Sequence, residues 1–255
     1  MIFDLKNNFR QNIKLLVGTT VLFMLACLYF SGACGRLGET GYWGDYMLYI
    51  FRGMYVIDFS QTGRNVDIPA MHIGLALIFT YIGFRYISSD ISVVTAVRFP
   101  SRRRWLAGKI ISNVCVIISV YAAGILVSGI WSGFTVGFNE KIDRKLMKVD
   151  WLPEDFNQVW VCLLGCLLAT VSVCMFQMTV SVLFNYITGI VVTLFVYIFS
   201  IFDSSIIWLG NGIMMQRWGI FRAGGISMAA GYGLALAVGI ISMAVMVIVV
   251  RKKDI

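Results

Sequence analysis

The chain has 255 residues, of which 59% are hydrophobic and 13% charged, with a net charge of +8. A soluble domain carries about a quarter charged residues, and here the apolar residues come in blocks of about twenty, the length of a spanning helix. That excludes an ordinary soluble domain, and in such a chain excess Lys and Arg record topology and contact with anionic lipid rather than nucleic acid.

The first fourteen residues are amphipathic. Ile2, Leu5, Phe9 and Ile13 fall on one face, with Lys6, Asn7, Arg10 and Lys14 around the other. This pattern predicts a helix over 1–14 lying in the membrane interface. An apolar run at 15–30 followed by "SGAC" invites comparison with a lipoprotein signal, but Ser31 stands where such signals usually carry Leu. The reading is a retained span at 13–33. Residues 35–67 then bring Tyr42, Trp43, Tyr46, Tyr49, Phe51, Tyr55 and Phe59, an aromatic density suited to a membrane-interface helix.

Further apolar runs lie at 68–87, 106–131, 159–184, 187–202 and 228–250. As one helix, 159–202 would be roughly 66 Å long, about twice a hydrocarbon core. It must fold back, and "FNYIT" at 184–188 is the polar interruption that allows it. Six spans result. With the N-terminus inside, twelve of the 21 basic residues face the cytoplasm against only Asp4, Asp90 and Asp254. The other nine share the outer segments with ten acids, the asymmetry that the positive-inside rule expects. Both termini are therefore predicted cytoplasmic. Residues 132–158 read as a solvated outer loop. The stretch 208–227, "WLGNGIMMQRWGIFRAGGIS", is apolar yet broken by five glycines, so it is expected to be re-entrant before the last span.

Catalytic signatures are weak. The sequence holds no G-x-x-x-x-G-K-[ST] phosphate loop, so any ATP-driven work needs an engine elsewhere. The single histidine, His72, could be imagined with Asp67 or Asp58 in a hydrolytic site, but no nucleophile motif supports this, and a head-group contact is the simpler expectation. The six cysteines lack metal-site spacing and read as buried thiols. No catalytic residue, cofactor site or metal site is assigned. An ion-coupled carrier usually needs ionisable groups at membrane depth, and here such groups lie at span ends.

Three polar or small patterns remain. In the fourth span Gln177, with Thr170 and Ser181, is a candidate for lining a path, because a buried Gln must find a partner or face water. In the last span Gly231, Ala235 and Gly239 are spaced for close helix approach, either as packing or as a subunit interface. Between the second and third spans, Ile87, Ile91, Val94 and Val97 recur at helical spacing beside Ser88, Ser89, Asp90 and Ser92. This short amphipathic helix should end before Pro100, ahead of "SRRRWLAGK".

That last arrangement resembles the permease subunits of type-2 ABC exporters. Their second-to-third-span loop carries a coupling helix and then a "P-x-S-R-R/K"-like segment ending in Gly-Lys; the match here is Pro100, Ser101, Arg102, Arg103, Gly108 and Lys109. The chain departs in its coupling region, "SSDISVV", where Asp90 is the one acid and no Gly-Thr occurs. The resemblance implies an all-α integral membrane protein with six transmembrane helices, forming a single permease domain over 1–255 with a coupling loop at 88–105. Asp90, Ile91, Val94, Val97 and Arg98 would contact the ATPase. Arg102, Arg103, Arg104, Trp105 and Lys109 would anchor the return at the inner leaflet. Implied partners are cytoplasmic ABC ATPase subunits carrying the ATP and Mg, and a second permease, identical or related, in a bacterial plasma membrane. The cargo implied is a peptide, drug, lipid or glycan precursor. The rival expectation is a non-ABC polytopic protein, either a secondary carrier or an accessory or sensor subunit.

Overall fold

The computed structural model describes residues 2–54, 70–88, 102–149, 152–153 and 156–252. Its helices are α1 (Ile2–Leu37), α2 (Trp43–Phe51), α3 (Ala70–Ser88), α4 (Arg102–Thr135), α5 (Arg144–Met147), α6 (Val159–Leu183), α7 (Tyr186–Phe202) and α8 (Met228–Lys252). Two 3-10 turns, Leu209–Ile213 and Met215–Arg217, lie between α7 and α8. Four stretches are long and apolar enough to cross a membrane: Asn12–Leu37, Arg104–Thr135, Val159–Leu183 and Met228–Val250. The apolar stretches of α3 and α7 are shorter, at Met71–Phe84 and Tyr186–Phe202. The chain is thus an all-helical, multi-pass membrane protein.

α1 runs without a break through both the amphipathic start and the first apolar run, where the sequence pattern predicts two elements. The chain has no proline here, and the hydroxyls of Thr19 and Thr20 return to the carbonyls of Leu15 and Leu16 at 2.8 Å, so neither breaks the helix. It stops at Gly38, whose φ of +70° suits the left-handed position just past a helix end. The fold-back between α6 and α7 falls at the expected place. Asn185 N-caps α7, its Oδ1 accepting from the Thr188 amide at 2.8 Å.

α6 is the central helix. It is the most buried of the four long apolar stretches, ahead of those of α4, α1 and α8. It runs parallel to α3 and α8 and antiparallel to α4 and α7, as its paired contacts show. Against α8 two hydroxyls cross seven residues apart: Ser172 donates to the Ala235 carbonyl at 2.6 Å and Thr179 to the Ser242 carbonyl at 3.1 Å.

One end of the bundle is capped. α2 lies there, and its aromatics turn inward: Trp43, Tyr46 and Phe51 are at most 1% exposed. Phe51 stacks on Tyr121 of α4 at 4.8 Å and Phe30 of α1 stacks on Tyr49 at 4.8 Å. The helix expected at the membrane interface from this aromatic density packs its rings on α1 and α4. The loop before α6 also departs from expectation. Lys141, Lys145 and Lys148 are exposed, but Ile142, Met147, Val149, Leu152 and Phe156 are buried, so it is docked rather than freely solvated. The opposite end, the arginine end, carries the start of α4, the α6–α7 turn and the end of α8.

Candidate functional site

The stretch proposed from sequence to couple to an ATPase, Asp90, Ile91, Val94, Val97 and Arg98, lies outside the described residues. The described chain resumes at α4, which begins at Arg102, so Arg102, Arg103 and Arg104 occupy its first turn. Cations at a helix N-terminus oppose the helix dipole, so this turn favours an anionic neighbour. Arg104 is exposed, while Trp105 and Lys109 are half-buried. Trp105 packs beside Leu106, Met175, Met178, Met246 and Val250.

The three path-lining candidates are all inside the bundle. Gln177 is 0% exposed; its Nε2 donates to the Thr80 carbonyl at 2.8 Å, and its Oε1 has no hydrogen-bond partner. Close approach of α3 at this point needs Gly83, since a Cβ there would collide with the Gln177 amide. Ser181 sits one turn on, donating to the Gln177 carbonyl at 2.8 Å. Thr170 shares a 2.8 Å hydrogen bond with Tyr121 of α4. Asn113 of α4, with its Nδ2 on the Met178 sulfur at 3.0 Å, adds another unpartnered carbonyl oxygen, Oδ1. Gln177, Thr80 and Asn113 thus form a seam of incompletely satisfied polar groups around the inner faces of α3, α4 and α6.

The small-residue stripe of α8 is used within the chain. Gly231 faces the Trp218 ring, Ala235 is 2% exposed against Ser172, and Gly239 also faces Ser172. Close packing of α8 on α6 accounts for all three.

Two charged groups that the sequence patterns did not single out are buried at the capped end. Asp45, 0% exposed on α2, accepts from the Tyr42 amide at 2.9 Å and the Asp143 amide at 2.7 Å, tying α2 to the loop before α6. Burial pushes its pKa up to about 6; the two amide bonds oppose this, and the Asp143 charge adds to it. Arg217, 2% exposed, ends the second 3-10 turn. Its Nη2 donates to the carbonyls of Ser200 (3.2 Å) and Ile201 (3.1 Å) in the last turn of α7. A cation suits that helix terminus. Burial pushes its pKa down to about 10, Arg222 acts in the same direction and Asp203 against it, so it stays charged at neutral pH. The 3-10 segment enters the groove of α6 and α7 through glycines. A Cβ at Gly210 would meet the Ser200 hydroxyl, and one at Gly212 would lie 2.9 Å from that of Ala169.

His72 is also placed inside. It is 4% exposed, in the first turn of α3, with its ring edge-on to Tyr197 at 6.4 Å. The hydrolytic partners imagined for it, Asp58 and Asp67, lie outside the described residues. All six thiols are free, and five of them are buried. Among the described residues no cluster of His, Cys, Asp or Glu could hold a metal ion.

Compared with family models, with curated proteins and with solved structures, the chain gives no match.

Proposed function

We propose that this chain is the membrane-spanning permease subunit of an ABC exporter, paired with a second permease and driven by separate cytoplasmic ATPases. The observation that carries the reading is the cationic return "PSRRRWLAGK" into α4, which opens that helix with three arginines directly behind an amphipathic stretch. A short helix of that kind is a lever: it takes a push from a soluble partner and passes it to a long, rigid helix. The lack of a phosphate loop fits an engine on another chain.

In this reading α3 and α7 cross the membrane as well, giving six spans. The 17 residues of α7 would be about 26 Å long, at the short end of the ~17–25 residue range for a spanning helix. The arginine end is cytoplasmic, and the 3-10 segment dips into the outer leaflet to help close the exit. The seam around Gln177 is the polar stretch that a cargo path would use.

The test is co-purification followed by uncoupling. The intact chain, purified from its own host in mild detergent, should bring an ATPase with it. Replacing Ile91 and Val94 with Asp should loosen that association or separate ATP hydrolysis from export, because it places charge on the docking face. A reporter after Ile255 should read cytoplasmic and one near Lys145 external. Recovery of the pure chain without any ATPase, together with normal behaviour of the double Asp variant, would refute the reading.

A further inference from the structure

Towards its C-terminal end α4 carries a cavity of about 410 Å³ on its exposed side, within the ~300–1,000 Å³ of sites that hold small molecules. Residues four apart share a helix face, so the lining sorts into two rows. Ile125, Gly129 and Gly133 form the floor of a slot, and Leu126, Ile130 and Phe134, 60–86% exposed, stand beside it as one wall. Phe138 is the other wall. The Ser132 carbonyl accepts from the amides of Val136 and Gly137 at 2.9 and 3.0 Å, and the Ser132 hydroxyl donates to the Gly137 carbonyl at 2.8 Å. Gly137, with φ +89°, turns the backbone there. The Phe138 ring thereby lies over Gly129, where a Cβ would come within 2.6 Å of it, whereas a Cβ at Gly133 would meet open space. The slot is closed at one glycine and open at the other.

Its occupant follows from where it lies. The slot continues an exposed apolar stripe through Ile111 and Ile118 of the same helix, on a stretch apolar enough to cross a membrane, so the medium there is hydrocarbon. A core of ~30 Å takes about 20 residues of helix, which counted from the arginines that open α4 reach the slot at the capped side. Phe138 leans on Trp43 at 5.7 Å, and Trp43 on Trp160 at 4.9 Å. Trp160 is half-exposed with its Nε1 on Glu140 at 2.9 Å, the apolar body and polar tip that mark head-group level. A second helix does not fit the slot. Close helix approach over paired small residues needs both of them bare, and the Phe138 ring covers Gly129. Seven lining residues also fall well short of the ~20–30 a side of a stable protein interface. A single flexible chain does fit.

We infer that this slot holds one acyl chain of a membrane lipid, in the leaflet on the capped side, with its head group at the level of Trp160. No charged or polar side chain lines the slot, so it recognises shape: the tail gains dispersion contacts with both walls and with the floor at Gly133. Lipid tails are as apolar as the side chains they touch, so the preference over bulk lipid is modest, about fivefold. The inference needs only that α4 crosses a membrane, and it stands whether or not the chain is an exporter.

The experiment uses the full chain in phosphatidylcholine vesicles that contain a trace of phosphatidylcholine with a diazirine midway along one tail. After irradiation and digestion, adducts are mapped by mass spectrometry. Labelling of residues 125–138 is compared with that of the exposed face of α8 at Leu236, Ile240 and Ile241, which meets bulk lipid. About fivefold more is expected at the slot. Gly133→Leu puts a side chain into the open space, and Phe138→Ala removes one wall by trimming a ring that is 72% exposed. Each should bring slot labelling down to the α8 level, while α8 labelling and the melting temperature hold. Wild-type labelling no higher at the slot than on α8 would mean that lipid passes over it without residing. Undiminished labelling in both variants would place the adducts elsewhere on α4. Either result overturns the proposal. So does a Leu126→Cys chain that cross-links to a second copy and loses slot labelling in the cross-linked dimer, since the occupant is then a partner chain.

Discussion

Asp45 makes a pH prediction whose sign is unusual for a carboxylate held by two amides. Its pKa rises from 3.8 to about 6 on folding, with burial as the main cause. The folded state therefore binds more protons than the unfolded state between those values, and stability falls as pH rises through that window. That rise, from 3.8 to about 6, corresponds to about 3 kcal/mol, or roughly 6–12 °C in melting temperature for a chain of this size. The capped end should accordingly be firmest near pH 4 and lose this contribution above pH 6. Asp45→Asn should flatten the slope. It keeps one acceptor oxygen for the Asp143 or Tyr42 amide, so at pH 7 relief of the buried charge offsets the lost hydrogen bond to within about 2 kcal/mol. The assay is thermal unfolding in detergent from pH 3.5 to 7.5 at a fixed scan rate, wild type against variant. An unchanged slope in Asp45→Asn would refute the argument, because the titrating group would then lie elsewhere.

Close contacts set three further outcomes. Gly53 has φ +77° and faces Met214 across the joint between α2 and the second 3-10 turn, so Gly53→Ala should cost at least about 1 kcal/mol, read as a lower melting temperature. A Cβ at Gly165 would lie 2.6 Å from Trp218, so Gly165→Leu should overpack the α6–α8 joint by about 1–3 kcal/mol and shift tryptophan fluorescence. Gln177→Leu removes one hydrogen bond and one unpartnered oxygen together. Stability should stay within about 1 kcal/mol, while export, if the seam carries cargo, should fall; unchanged export would remove Gln177 from the path.

Much of the helical frame is legible in the sequence because membrane helices announce themselves by length and apolarity. The fold-back at Asn185 is readable too, since a polar interruption in an apolar run too long for one helix has one task. The ends of α1 are harder: amphipathicity marks where its environment changes, not where its backbone breaks, and nothing in the chain requires a break. The capped end misleads for a related reason. Aromatic density around Trp43 and Tyr46 says that rings need cover, but the same rings satisfy that need at a lipid interface or against α1 and α4. Asp45 in "WGDYMLY" and Arg217 in "MMQRWGI" each carry a faint signal, a lone charge inside an apolar run. Their long-range partners, which come from Asp143, Ser200 and Ile201, are set by tertiary packing and leave no local trace. Gln177 stands out because a lone amide in a long apolar helix is conspicuous whatever surrounds it.

The two hydroxyl bridges between α6 and α8 have a consequence for how this molecule can move. Ser172 and Thr179 are seven residues apart, and so are the carbonyls they reach, Ala235 and Ser242. Sliding α8 along α6 would have to break both bridges at once, and a slide of one turn would lift Gly231 and Gly239 off the side chains they make room for. The pair therefore has a single register and behaves as one beam. α7 has a different attachment: Gly189 seats it on Ser181 near the arginine end, and Arg217 holds its last carbonyls at the capped end. Rearrangement of the bundle is expected to leave the α6–α8 beam whole and to swing the other helices about it, with the Arg217 latch as the joint that opens.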